Sequence, residues 1–117
     1  MGTNNSKDKF REEEISEDLE KEIIEVFAIF DKDGSKEIDK NEALEHWKSN
    51  FAKLSAKEFF DSVDFDGNGE ISEDEFIRFW KICKAYGHSE NEIREELMNI
   101  RNGEVWVGFE DMPKFNA

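Results

Sequence analysis

Residues 64–75 form an acidic turn whose side chains are spaced in a way that suits binding of a metal ion. Short oxygen-bearing side chains stand at alternate positions, at Asp64, Asp66 and Asn68, so that all three can turn inward around one point. Glu75 follows with the reach to bind through both carboxylate oxygens. Calcium is a hard cation that takes about six to eight oxygen ligands in a flexible shell. The spacing therefore predicts a calcium site rather than a solvated acidic loop.

The other positions of this turn agree with that interpretation. Gly69 permits the bend with positive φ that wraps the chain around an ion. The backbone carbonyl of Glu70 can then face the ion while its side chain stays free, and Ser72 can hold a bridging water. We therefore expect ligands from the backbone and from a water as well as from the carboxylates.

The turn resembles the twelve-residue calcium loop of the EF-hand superfamily, and residues 31–42 resemble it as well. The resemblance covers roughly residues 19–86 and is most specific in the two loops. For the first loop it implies the ligands Asp31, Asp33, Ser35, the Glu37 carbonyl, Asp39 and Glu42. It also implies that Ile38 and Ile71 pair the two loops through a short β-bridge and enter the core. Two calcium ions are expected.

The first loop departs from the pattern at one position, because Lys36 stands where the family has glycine. A residue with a side chain in the left-handed region costs about 1–2 kcal/mol. Asp39 adds a carboxylate where the second loop has Ser72, and this should offset part of the loss. We expect the first site to bind calcium more weakly than the second. The alternative is a distorted first loop that serves only to pair with its neighbour.

Helical periodicity flanks both turns, and the two helix–turn–helix units repeat one plan. The apolar positions that define these helix faces are Leu19, Ile23, Val26, Phe27 and Phe30, then Leu44, Trp47 and Phe51, then Phe59, Phe60 and Val63, then Phe76, Phe79, Trp80 and Cys83. Ser55 and Ser89 each begin a capping box, which predicts the starts of a third and a fifth helix, and Leu54 and Phe59 are expected to form a hydrophobic staple around the first of these boxes. Gly87 is expected to end the fourth helix.

These patterns predict an all-α protein with a C-terminal helix and an apolar tail, and the resemblance implies one pair of EF-hand units with a β-bridge between their loops. We expect a flexible arm over 1–15, the paired domain over 16–87, and a segment over 88–117 that packs on the paired domain. That last segment carries Ile93, Leu97 and Ile100 on one helix face, followed by an apolar run that includes Trp106, Phe109 and Met112. Such a run is too apolar for a solvated tail.

Composition excludes several classes of protein. The chain has 117 residues and a mean hydropathy of −0.82. Its formal net charge is −14, so a nucleic-acid partner, whose phosphates need a basic surface, is not expected. Its 11 Phe and 3 Trp argue against disorder, because they supply apolar area to bury. A single cysteine, Cys83, cannot form an internal disulfide. Neither His46 nor His88 has a partner at ligand spacing, and we expect no enzyme.

The sequence beginning Met1-Gly2 fits the pattern for N-myristoylation of Gly2, with Ser6 at the favoured place. One myristoyl chain anchors a protein only marginally. We therefore expect a cytoplasmic protein that reaches a membrane or the cell cortex only if Gly2 is acylated.

The leading functional hypothesis is an intracellular calcium sensor, a monomer that rearranges its helices and exposes apolar surface to a helix of a target protein. A calcium buffer, which binds the ion and barely opens, is the first alternative. The second is one half of a longer protein with four EF-hands, or a cytoskeleton-associated calcium-binding protein.

Overall fold

The computed structural model describes residues 11–47, 52–104 and 106. Its elements, in chain order, are α1 Glu17–Phe30, β1 Glu37–Ile38, α2 Lys40–His46, α3 Ala52–Val63, β2 Ile71–Ser72, α4 Glu73–Ala85 and α5 Glu90–Arg101. The expected all-α architecture with a small bridge is confirmed. No described helix has the length and apolar character needed to cross a lipid bilayer.

Two helix–loop–helix units, α1–α2 and α3–α4, are joined by the antiparallel pairing of β1 with β2. Glu37 lies opposite Ser72, and Ile38 lies opposite Ile71. Both isoleucines are fully buried, as the sequence predicted. The bridge therefore fixes the two acidic loops beside each other and connects them directly to the core.

The core is an aromatic cluster to which all five helices contribute buried side chains or packed neighbours. Phe59 lies near its centre, with ring centroids 5.2 Å from Phe30, 5.5 Å from Trp47 and 6.0 Å from Phe76. The buried face of α1 is the predicted one: Leu19, Ile23, Val26, Phe27 and Phe30. Cys83 is buried in the same core as an apolar residue. The predicted helix faces therefore meet in one core.

The predicted start of α3 is wrong. The helix begins at Ala52, one turn before the capping box proposed at Ser55, and Leu54 is 53% exposed, so no staple forms. Ala52 and Leu54 are good helix formers, which favours this earlier start. Ser55 lies within α3 and is fully buried, and its hydroxyl accepts a hydrogen bond from the backbone N–H of Trp106 at 3.1 Å. A tertiary contact therefore replaces the predicted cap.

Other helix ends match the sequence more closely. The capping box at Ser89 is present at the start of α5, and Gly87 follows α4 with φ +106°, as a left-handed terminator should. Helix α2 ends at His46 with Trp47 as its cap, whereas Phe51, the third residue of the predicted face, lies outside the described residues.

Residues 11–15, the described part of the predicted N-terminal arm, run along α4. The Glu12 carboxylate accepts a hydrogen bond from Arg78 Nε at 2.7 Å, and the Glu13 backbone N–H donates to the Lys81 carbonyl at 3.0 Å. Lys84 Nζ donates to the Glu14 carbonyl at 2.7 Å. The rest of the predicted arm, including Gly2 and Ser6, lies outside the described residues.

Helix α5 packs on α1 and α4, and it buries the predicted residues Ile93, Leu97 and Ile100. Trp106, four residues beyond the end of the helix cap, is also buried at 6% exposure. The described part of the C-terminal segment therefore lies on the paired units, and the predicted apolar residues Phe109 and Met112 fall outside the described range.

Candidate metal centres

The second loop gathers three carboxylates around one point. Ligand oxygens of Asp64, Asp66 and Glu75 all lie within 4.8 Å of one another. Glu75 is held in place by two backbone donors, since its Oε1 accepts from the Ser72 N–H at 3.0 Å and its Oε2 from the Asp66 N–H at 3.2 Å. The Gly69 N–H donates to Asp64 Oδ2 at 2.9 Å. These bonds orient the carboxylates toward a common centre.

One atom of this loop indicates that a cation fits there. Asp64 is 1% exposed, and no hydrogen-bond donor among the described residues reaches its Oδ1 atom. A buried carboxylate oxygen without a partner is costly, and a cation at the centre of the loop would satisfy it. Burial raises the pKa of Asp64 above its usual value, and the neighbouring Asp66 carboxylate adds to the effect. Burial likewise raises the pKa of Glu75, with further contributions from the nearby Asp66 and Asp64 charges.

The first loop repeats the arrangement. Carboxylate oxygens of Asp31, Asp33 and Glu42 lie within 4.8 Å of one another. Glu42 Oε1 accepts from the Asp39 N–H at 3.1 Å, and its Oε2 accepts from the Asp33 N–H at 3.3 Å. Burial raises the pKa of Glu42, and repulsion from the Asp33 and Asp39 carboxylates raises it further. The backbone N–H of Ser35 donates to Asp33 and lowers the pKa of that carboxyl.

Lys36 adopts the conformation that glycine has in the second loop. Its φ is +70°, compared with +86° at Gly69, and among the described residues it is the one non-glycine with positive φ. Its backbone N–H donates to Asp31 Oδ2 at 2.8 Å, the counterpart of the Gly69–Asp64 bond. Its ammonium lies 3.7 Å from Glu73 of the second unit, in an exposed ion pair. The first loop therefore keeps the loop geometry and carries the predicted backbone strain.

Two predicted ligands have a second, unpredicted role as helix caps. Asp39 and Ser72 are the N-caps of α2 and α4, where Asp39 Oδ1 accepts from the Glu42 N–H at 2.8 Å and Ser72 Oγ from the Glu75 N–H at 3.1 Å. Both helices therefore begin with a complete capping box. The signal was present in the sequence, because each cap is followed three residues later by glutamate.

The remaining predicted ligands lie within the loops but outside the carboxylate clusters. Ser35 Oγ lies 3.3 Å from Asp31 Oδ1 and 3.0 Å from the Glu37 carbonyl oxygen, and its single proton can be donated to either of these two predicted ligands. Asn68 Oδ1 accepts from the Glu70 N–H at 2.9 Å. The Glu70 side chain meets that of Glu37, which raises the pKa of Glu70 through their hydrogen bond and mutual repulsion.

His46 belongs to the core rather than to a metal centre. Its ring stacks on Phe30 with centroids 4.1 Å apart, and its Nε2 lies 2.6 Å from the Ile100 carbonyl. Burial lowers the pKa of His46, which favours the neutral ring. Within the described residues, the three-residue acidic clusters that could hold an ion are those of the two loops.

Comparison with known proteins agrees with this geometry. A family model described as an EF-hand domain pair matches residues 20–81, slightly more than half of the chain. A search among curated proteins gives no match. The matched region contains both acidic loops, their flanking helices and the β-bridge, and EF-hand pairs are typically calcium-binding rather than catalytic units. The chain therefore belongs to the EF-hand family, with an EF-hand pair, a calcium-binding type of domain, at residues 20–81.

Proposed function

We propose that this protein is an intracellular calcium sensor that binds one calcium ion in each loop, changes its helix arrangement in response and exposes apolar surface to a target protein. The observation that carries the proposal is the pair of convergent carboxylate clusters, joined through Ile38 and Ile71 to one aromatic core. Because both clusters connect to the same core, occupancy of either loop can affect the packing of all the helices.

The glutamates that complete each cluster give a route for the response. Glu42 and Glu75 are the third residues of α2 and α4, the helices that leave the loops. An ion bound by these carboxylates is attached directly to the start of each helix. At the other end of α2, His46 and Trp47 contact the backbone of residues 100 and 104. A change in the orientation of α2 would therefore reach the C-terminal segment and the surface offered to a helical target.

The test is a pair of backbone NMR spectra of the full chain, one with calcium and one with EDTA, together with binding of a dye specific for apolar surface. A sensor is expected to show shift changes in α2, α4 and α5 and greater dye binding with calcium. The matched control is Glu75→Gln, which keeps the shape of the side chain but lowers the charge of the second cluster. Loop-confined shifts and unchanged dye binding would refute the sensor proposal.

A calcium buffer is the second candidate, and one observation favours it. Trp106 and α5 already close the aromatic core, so that calcium could bind without any opening. The loop-confined result above is the outcome expected of a buffer. Membership of a longer protein with four EF-hands, or association with the cytoskeleton, is a further alternative that the size of the native gene product would test.

The proposal places the protein in the cytoplasm, with membrane or cortex association only if Gly2 is myristoylated. Mass spectrometry of the N-terminal peptide from the native source tests that modification. An N-terminal peptide without a myristoyl group would exclude membrane association through Gly2.

A further inference from the structure

A groove separate from the aromatic core runs between α2 and α3, with a volume of about 470 Å³. The residues that contact Trp106 in the core, Ser55, Phe59, Phe79 and Trp80, do not line this groove. Its walls include Lys40 and Leu44 of α2 and Lys53, Ala56, Lys57 and Phe60 of α3, and the second loop adds a further part. The groove is therefore a surface of the EF-hand pair that Trp106 does not fill.

The floor of the groove is apolar. Ala56 and Phe60 are each only 5% exposed, and Leu44 is half-buried across from them on α2. From Lys53 to Phe60, the lining residues of α3 recur at i, i+3, i+4 and i+7, which places them on one stripe of the helix. A concave site with an apolar floor can take apolar side chains out of water.

The rim of the groove is basic, although the protein is strongly acidic. Lys40, Lys53 and Lys57 are all the lysines of α2 and α3, and all three line the groove. Glu45 and Glu58 belong to the same two helices and do not line it. Since the chain has 30 Asp and Glu against 16 Lys and Arg, positive charge is concentrated here against the overall balance.

Two of these lysines are available to a partner. Lys57 Nζ lies 2.7 Å from Asp61 Oδ2, so its charge is already paired on its own helix. Lys40 and Lys53 are exposed, and neither forms an ion pair or a side-chain hydrogen bond with another described residue. The other carboxylate of the groove, Asp64, belongs to the second ion cluster. The groove therefore offers two unpaired ammonium groups beside an apolar floor.

We infer that this groove is a docking site for an acidic amphipathic helix of a partner protein. Apolar side chains of that helix would enter over Leu44 and Phe60, and flanking carboxylates would pair with Lys40 and Lys53. Lys53 and Phe60 lie seven residues apart on α3, about 10 Å along its axis, so about two turns of a partner helix fit beside them. The site is separate from the surface that the proposed function exposes with calcium, and it needs no opening of the core.

Charge and shape favour a peptide over an anionic membrane. A chain of net charge −14 is repelled by anionic lipid as a whole. The apolar residues Ala56 and Phe60 are also recessed rather than exposed, so a flat bilayer surface would not reach them. An acidic helix can instead place single apolar side chains in the groove and keep its charges at the rim.

The test is fluorescence anisotropy of the full chain in EDTA, so that calcium-dependent surface does not contribute. The probe is a labelled helical peptide of about 14 residues with leucines at i, i+3, i+4 and i+7 and glutamates beside them. Wild type should bind it more tightly than the same peptide with lysine for glutamate. Lys40→Glu and Lys53→Glu should each weaken binding about three- to tenfold. Lys21→Glu is the matched control, because Lys21 is an exposed lysine of α1 outside the groove.

Failure of the acidic peptide to bind at up to about 1 mM would overturn the inference. Tighter binding of the lysine peptide, or equal weakening by Lys21→Glu, would overturn it as well. Two other occupants of the groove would also contradict it: a wild-type dimer in sedimentation that Lys53→Glu dissociates, or binding to phosphatidylserine vesicles that Lys53→Glu abolishes. Failure of the proposed function is read separately, from calcium-dependent spectra of the wild type without peptide.

Discussion

Replacing Lys36 by glycine tests how much backbone strain lowers the stability of the protein and the calcium affinity of the first loop. Lys36 has φ +70°, and the left-handed region costs a residue with a side chain about 1–2 kcal/mol. Glycine adopts this conformation without that penalty. We expect the calcium-loaded Lys36→Gly protein to be more stable to unfolding by about 1–2 kcal/mol, and its first site to bind calcium up to about tenfold more tightly.

The control must separate strain from charge, because Lys36 also carries an ammonium 3.7 Å from Glu73. Lys36→Ala removes the same charge but keeps a Cβ atom, so the left-handed conformation remains strained. The difference between the glycine and alanine variants therefore measures the backbone alone. Urea unfolding of both proteins in saturating calcium gives the stability difference, and calorimetry shows how much of it appears as calcium affinity.

The second loop provides the reverse experiment. Gly69 has φ +86°, and a Cβ atom added there would meet no neighbour within 4 Å. The free energy of unfolding of Gly69→Ala should therefore be about 1–2 kcal/mol lower because of backbone strain, with no contribution from a steric clash. Equal stability of the Lys36 glycine and alanine variants, combined with a harmless Gly69→Ala, would refute the assignment of strain to these positions.

Three further predictions concern the ion clusters and the helix junction. Glu75→Gln should reduce total calcium affinity more than Glu42→Gln, because the second loop is unstrained and has the unpartnered Asp64 oxygen; equal losses in calorimetry would contradict this. Removal of calcium with EDTA should lower the melting temperature, because two ions add four positive charges to a chain of net charge −14 and reduce the repulsion between the crowded carboxylates. Added salt should restore part of that loss by screening. An unchanged melting curve would refute this prediction. Hydrogen bonds from Lys84 and, to a smaller extent, Ser16 lower the pKa of Glu90 to about 2, from 4.5 in the unfolded chain. The ionised Glu90 therefore stabilises the fold above pH 4.5, and this stabilisation is lost as the pH falls toward 2. Glu90→Gln should therefore destabilise the protein at pH 7, with a difference from wild type that shrinks over that acid range in urea titrations, whereas Glu95→Gln on the same helix should behave like wild type.

Features fixed by local pattern could be predicted from the sequence. The convergence of the Asp64, Asp66 and Glu75 carboxylates follows from their spacing and the position of Gly69. The predicted helix faces follow from apolar periodicity, as the burial of the α1 face shows. The positive φ at Lys36 also followed from its position in the loop. In each case the residues that determine the structure lie within a few positions of one another.

Features that depend on distant residues could not be predicted in the same way. Ser55 carries a correct capping-box signature, yet its hydroxyl bonds to Trp106, 51 residues away. The polar segment 11–15 has no apolar period, and its attachment to α4 relies on partners such as Arg78, 66 residues from Glu12. Local propensity cannot register such partners, so a cap and an arm were predicted where the chain makes tertiary contacts.

The strain at Lys36 and the position of the C-terminal segment bear on the same helix. Lys36 belongs to the first loop, and it is the first loop that leads into α2, whose far end holds the segment at residues 100 and 104. The ion pair between the exposed Lys36 ammonium and the half-buried Glu73 contributes at most about 1 kcal/mol, which is no more than the lower end of the range for the strain, about 1–2 kcal/mol. We therefore expect the site connected to the segment to be the weaker of the two. Calcium would fill the second loop first, and the ion that fixes α2 against Trp47 and the segment would be the second to bind.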